Sequence, residues 1–456
     1  MKKELWLAGA LLAYTTARLA PPLAGLNAGG QAALAVTIAG TILWITEAVP
    51  LGVTALLVVV LLAINPGMRL PDALHGFTSE VTFFLVGVAA IGTAVEASGL
   101  AQRAARFLAR SAKGNPTRLY VQMILSLPAL AFLVPSAITR NAILIPAYRE
   151  ALDGMGVGKS GRVGRALMLA LGMLNPLASS ALLTGGIASI AAATLLGGFS
   201  WLGWFALMAV PYYLLIFLGG IWLRMMVGPF ESGGPCTVKA TAEPLSTAEI
   251  KTLAILAATA LLWLTDAWHH LSPAIPALMA AIVLLAPRIG ALSWKQFEGK
   301  LSWGLILTVG ASMSLARTMI DTGAASWLGA AAVDRLTSVA VAPMAIVVLL
   351  VVAVALVHLA ITNLAACMAL LIPIAVTIAE AARLNPLVCG LIVTIAVDAI
   401  ILYPVQTAAN LLAYEAGYFH TADVRRLGLG MLVLTIAVAL LVLPYWSLLG
   451  LPLVRA

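Results

Sequence analysis

The segment 340–382 is apolar over more than twice the roughly 20 residues that an α-helix needs to cross a bilayer, with polar residues near its middle. A second long apolar piece, 119–152, is interrupted in the same way. Too long for one crossing and broken halfway, each reads as a re-entrant hairpin. Such backbone survives at membrane depth only where protein or a water-filled cavity satisfies its polar groups. Further apolar spans lie near 31–48, 51–66, 79–99, 165–195 and 201–226, and again near 250–267, 273–289, 301–323, 387–414 and 426–449. Only 10% of residues are charged and 62% are hydrophobic. A soluble chain of this length carries roughly 25% charged residues. The fold expected is therefore an all-α polytopic membrane protein with about 11 transmembrane helices.

The net charge of +8 does not point to nucleic acid, because the basic residues fall in short segments between spans, as the positive-inside rule requires. Cys236, Cys367 and Cys389 lack paired spacing and neighbouring histidines, so they read as packing residues. After Met-Lys-Lys-Glu, segment 5–17 leads straight into further apolar sequence. It reads as a first spanning helix that starts in the cytoplasm, not as a cleaved signal.

Self-similarity organises the chain. "LWITEA" at 43–48 recurs as "LWLTDA" at 262–267, "VG" at 86–87 recurs at 309–310, and "LIP" at 144–146 recurs at 371–373. The domain boundaries expected are 1–30 for the first helix and loop, 31–227 for one repeat, 228–250 for a Gly/Pro/Ser/Thr-rich cytoplasmic linker, and 251–456 for the second repeat. Five crossings per repeat invert the second relative to the first, the design of many secondary transporters. Charges agree: Arg103, Arg106, Arg110, Lys113, Arg118, Lys159, Arg162 and Arg165 crowd the segments flanking the first hairpin, whereas 324–339 carries only Asp334 and Arg335.

Four polar interruptions stand out: 136–141 and 362–363 at the hairpin tips, and 184–189 and 404–407 as breaks inside spans. Hairpin tips and broken helices aim helix N-termini and free carbonyls at the midplane, where amide ends favour anions and carbonyl ends favour cations. The expected anion-binding residues are Ser136, Thr139, Arg140, Asn141, Thr184, Gly185, Gly186, Ser189, Thr362, Asn363, Gln406 and Thr407. Arg140 is the strongest signal, since a cation at the bilayer centre costs about 2.5–3.5 kcal/mol or more and needs a partner. That partner is the transported anion, gripped bidentately, or Asp398; otherwise the side chain snorkels to the interface or pairs structurally. Asp398 is otherwise a proton-coupling carboxylate or a buried hydrogen-bonded acid. His358 is a coupling candidate because imidazole titrates near neutrality. Glu47 and Asp266 hold matching places in the repeated hexamer and read as structural, and many of the tryptophans fall near span ends, where an aromatic belt is expected.

"ITEAVPLGVTALL" (45–57), "LLTGGIASI" (182–190), "ITNLAACMALLIPIA" (361–375) and "PVQTAANLLAYEAGYF" (404–419) together resemble the divalent anion/sodium symporter family, whose members carry di- and tricarboxylates or sulfate. The resemblance implies an elevator-type homodimer, with both hairpins and both broken helices forming a body that slides against the remaining spans. It also implies a sodium ion near Ser136, Gly185, Asn363 and Thr407. In this register Ser136 and Arg140 match the family's first hairpin, but Ala137 and Ile138 stand where Asn and Thr bind sodium and substrate. Apolar side chains supply no ligand oxygen. A fixed charge at Arg140 replacing sodium, with protons or a counter-anion driving transport, is the reading that follows.

The function expected is secondary active transport of small divalent anions, with Na+ or H+ as coupling ion and no other cofactor, in the cell (inner) membrane. The alternatives are a permease for another oxyanion such as arsenite, a channel, or a non-transporting scaffold. No nucleophile elbow or metal-ligand spacing surrounds Ser136 or His358, so an enzyme is not expected.

Overall fold

The computed structural model describes residues 2–46, 48–65, 69–100, 103, 107, 110–231, 244–301, 303–324, 327, 342–360 and 364–454. The sequence-derived candidates Thr362 and Asn363, together with Cys236, Glu47, Arg106, Asp334 and Arg335, lie outside these residues.

Among the described residues the chain is helical. The first half runs α1 Lys2–Leu19, α2 Ala28–Thr46, α3 Leu51–Ala63, the short α4 Leu70–Ala73, α5 Glu80–Ser98, α6 Pro116–Leu133, α7 Ala137–Gly154, α8 Arg162–Met173, α9 Asn175–Ser180, α10 Ile187–Leu195 and α11 Trp201–Val227. The second half runs α12 Thr247–Leu264, α13 Asp266–His269, α14 Ala274–Leu285, α15 Trp294–Lys300, α16 Trp303–Asp321, α17 Pro343–Ala360, α18 Leu364–Ala381, α19 Pro386–Ala399, α20 Ala408–Glu415 and α21 Thr421–Leu448. Four of these, α6, α11, α12 and α21, are long and apolar enough to cross a membrane by length and composition.

Local sequence explains the breaks. Helix α6 starts at Asn115-Pro116, where the Asn115 side chain accepts from Arg118 N and proline takes a position that needs no amide donor. It gives way to α7 across only three residues, with Ser136 capping the new helix by accepting from Thr139 N at 3.3 Å. The apolar stretch expected to be broken once, at 184–189, is broken twice: first at Asn175-Pro176, then at Thr184–Gly186. Its counterpart in the second half unwinds after Ala399 and restarts at Ala408, capped by Thr407, whose hydroxyl accepts from Asn410 N at 3.2 Å. Helix α12 begins inside the segment expected as linker, because Ser246 and Glu249 form a capping box. Glu249 also takes a two-pronged bond from Arg103, Nε to Oε1 at 2.7 Å and Nη2 to Oε2 at 3.0 Å, tying the segment after α5 to the start of the second half.

The repeated Val-Gly steps are points of close approach. A Cβ on Gly87 would lie 2.6 Å from the Ala277 carbonyl carbon, where α5 packs on α14, and one on Gly310 would lie 2.6 Å from the Phe77 ring. Glycine is required there by space, not by dihedral angle. Gly87→Ala should destabilise the protein by about 1–3 kcal/mol through overpacking, seen as a lowered Tm in detergent. Gly92→Ala, on the same helix with nothing within 4 Å of its added carbon, should leave Tm unchanged. Equal Tm values for the two variants would show that α5 and α14 are not in this contact.

Candidate functional site

Arg140 sits in the first turn of α7, 1% exposed. All five of its N–H groups are satisfied by neutral oxygens. Nε donates to Asn175 Oδ1 at 2.7 Å, Nη1 to the carbonyls of Val134 at 2.5 Å and Pro135 at 2.9 Å, and Nη2 to the Asn175 carbonyl at 2.7 Å and Ser179 Oγ at 2.8 Å. The guanidinium thus closes the end of α6, whose last carbonyls have no intrahelical donor, and locks the hairpin tip onto the broken segment α8–α9. This corrects the expected role in one respect: the fork has no free pair of donors with which to grip an anion. Nor does Arg140 pair with Asp398, whose Oδ2 accepts from Tyr212 Oη at 2.6 Å. What remains is a fixed positive charge, held by dipoles and not neutralised by a carboxylate.

Asn175 is the hub that sequence reasoning missed. Besides both bonds to Arg140, its Nδ2 donates to Asn141 Oδ1 at 2.7 Å and to the Ala137 carbonyl at 3.2 Å. Asn141 Nδ2 in turn reaches the Leu171 carbonyl on α8 and the Ala409 carbonyl on α20, both at 2.9 Å. One network therefore joins the first hairpin, the first broken segment and the second broken segment, and it brings the N-termini of α7 and α20 side by side. The Asn-Pro dipeptide inside an apolar run was the available signal.

The other sequence candidates divide by environment. Ser136, Thr139, Gly186 and Thr407 are half-buried at helix starts. Thr139 Oγ1 donates to Ser136 Oγ at 3.1 Å, and Gly186 precedes α10 without a side-chain cap. Thr184 and Ser189 are buried; Thr184 Oγ1 receives Trp201 Nε1 at 3.4 Å and Ser189 Oγ donates to the Ser180 carbonyl at 3.3 Å. Gly185 packs so closely over the Ser179 carbonyl that any Cβ would collide with it.

The second broken segment has its own plug. Gln406, 1% exposed, receives Leu402 N on Oε1 at 2.8 Å and donates through Nε2 to the carbonyls of His358 and Ile400, each at 3.2 Å. It bridges the end of α17 and the end of α19, as Arg140 bridges the end of α6 and α9. The His358 ring is fully buried against the Ile400 carbonyl without a well-formed hydrogen bond. The oxygens on Arg140 already face one cation, and a second in the same shell would be repelled; of the residues expected beside sodium, Ser136, Gly185 and Thr407 are described and Asn363 is not. No group of three or more His, Cys, Asp or Glu fit to hold a metal occurs among the described residues.

Arg140→Lys tests the cluster. Lysine keeps the charge but offers three donors for five acceptors, and each acceptor left unserved costs about 1–3 kcal/mol. A clear fall in Tm is expected, and an unchanged Tm would show that the five bonds do not hold the tip.

Residues 2–452 match the family described as the sodium:sulfate symporter transmembrane region. The chain is 25% identical to a membrane protein of Cupriavidus necator, covering 94% of this chain and 90% of that one. It is 27% identical to the L-tartrate/succinate antiporter of Escherichia coli, covering 82% of this chain and 80% of the relative. Among solved structures it is similar in fold to the Alcanivorax borkumensis YdaH transporter, with a TM-score of 0.59 and 17% identity, covering 84% of this chain and 88% of that one.

Proposed function

Because the chain belongs to the family of the sodium:sulfate symporter transmembrane region, we propose that it carries small divalent anions, dicarboxylates foremost, across the membrane without sodium. It is a polytopic integral membrane transporter and not an enzyme. The observation that carries the proposal is the five-bonded guanidinium of Arg140 beside the paired N-termini of α7 and α20. Each helix N-terminus presents about half a positive charge and free amides, and Arg140 adds a whole charge. An anion at Ser136, Thr139 and Thr407 would meet this field without touching the fork itself.

In this reading Arg140 and Gln406 place N–H donors on carbonyl clusters that a cation would otherwise have to fill, which removes the need for sodium at both. The likeness to an L-tartrate/succinate antiporter supports dicarboxylates and exchange. The two hairpins (α6–α7 and α17–α18) and the two broken segments (α8–α10 and α19–α20) would move as one body, held together by the Asn141–Asn175 network, against the rest of a homodimer. Inverted repeats supply the two near-equivalent end states. The protein would sit in the cell (inner) membrane with a cytoplasmic N-terminus.

The test is counterflow in proteoliposomes with labelled succinate, L-tartrate, citrate and sulfate. Saturable uptake driven by internal unlabelled dicarboxylate, and equal in sodium and choline media, is expected. Uptake that needs a sodium gradient would overturn the sodium-free reading, and no counterflow with any of the four anions would overturn the transport reading. Asn175→Asp preserves the acceptor facing Arg140 Nε and cancels the charge, and it is read against Asn175→Ala, because both variants lose the Nδ2 bonds to Asn141 and Ala137. Asn175→Asp should weaken succinate binding at least about tenfold beyond Asn175→Ala, or about 1.4 kcal/mol; equal affinities would remove Arg140 as counter-charge.

A further inference from the structure

The anion-holding groups described above leave one buried acid without a task. Asp398 lies near the end of α19, 5% exposed, with a 2.6 Å bond from Tyr212 Oη on α11 to its Oδ2 and the Ser180 side chain as a second hydrogen-bond partner. A carboxylate has room for about four such bonds. Among the described residues no lysine, arginine or histidine stands within ion-pair distance of it.

The side chains that face it are uncharged. The Ser180 side chain of α9 and the Cys367 thiol of α18 face it, with Tyr212 from α11. Helix α10 carries no titratable residue. From α17 the titratable group is His358, which lies against Ile400, two residues beyond the acid. Helix α21 has Asp423, Arg425 and Arg426 in its first turns and Tyr445 near its other end, where the hydroxyl bonds the Ala206 carbonyl.

Two consecutive residues of α9 connect this acid to the cation. Ser179 receives Arg140 Nη2 at 2.8 Å, and Ser180 faces Asp398. The site's two formal charges therefore hang from adjacent serines without forming an ion pair. In a low-dielectric interior they still feel one another, so whatever screens Arg140 changes the field at Asp398. An anion arriving beside Arg140 does that: it offsets part of the positive field that reaches the carboxylate, whose hydrogen-bond partners are Tyr212 and Ser180.

We propose that Asp398 is a proton-binding site linked to anion binding, taking up one proton as the anion arrives and releasing it as the anion leaves. The proton comes from hydronium or a buffer acid in bulk solution, whose bond to it breaks as an O–H bond forms on a carboxylate oxygen, and Tyr212 remains the donor to Oδ2. Linkage is reciprocal, so anion affinity rises as pH falls through the range in which Asp398 titrates, by at most about tenfold per pH unit for a single proton. The inference rests on the anion-transport reading and adds to it the coupling ion.

The experiment uses purified full-length protein in weakly buffered detergent solution at neutral pH, where succinate and sulfate are fully ionised. A dissolved pH indicator reports proton uptake while calorimetry reports binding. Wild-type protein should take up close to one proton per anion bound, and Asp398→Asn none, with its affinity independent of pH. Binding without proton uptake in the wild type, or equal uptake in Asp398→Asn, overturns the proposal. If Asp398→Asn fails to fold or bind, infrared difference spectra decide: anion addition should produce the C=O band of a protonated carboxyl in the wild type, displaced in Tyr212→Phe. No such band, or one indifferent to Tyr212, overturns it as well. Wild-type protein that binds neither anion and shows no counterflow overturns the transport reading and this proposal together, an outcome distinct from binding without protons.

Discussion

A guanidinium sealed inside a membrane protein must have its donors met by the protein itself, and the site is arranged around that requirement. The five oxygens on Arg140 come from the end of α6, from the α6–α7 turn and from α9. Meeting them forces the hairpin tip and the broken segment into one position. Removing one partner from such a cluster leaves buried groups unsatisfied, which costs far more than the net worth of any single bond. The cluster is therefore stiff, and the positive charge it holds is precisely placed only because nothing around it can relax independently.

From this core the second repeat follows. Asn175 passes the constraint to Asn141, and Asn141 passes it to the Ala409 carbonyl at the start of α20. The N-termini of α7 and α20 are neighbours as a result, so two helix dipoles and one fixed cation add in the same region. Gln406 repeats the device with an uncharged amide. The first half thus contributes a guanidinium and the second half a neutral polar plug. Asp398 lies beside Ser180, the residue after the serine that Arg140 bonds.

Much of this was legible in the chain. Apolar stretches, the Val-Gly repeats and the polar interruptions mark helices, close approaches and tips because backbone at membrane depth has so few allowed solutions. Arg140 drew attention for its cost alone. Its partners were not legible: Asn175 and Ser179, like Tyr212 beside Asp398, are ordinary residues until folding sets them against a charge. The direct grip expected of Arg140 failed for that reason, since a sequence lists donors but not the carbonyls that consume them.

Sequence by itself determined that the chain is an all-helical membrane protein with two hairpins and two broken helices, because hydropathy and punctuation are local properties and the bilayer tolerates little else. Only the tertiary structure decided what the buried charges do. Whether a guanidinium faces an anion, a carboxylate or five neutral oxygens depends on separations of a few tenths of an ångström between segments 35 to 39 residues apart in the chain. Coulombic and hydrogen-bond energies turn on those separations, and no local pattern encodes them.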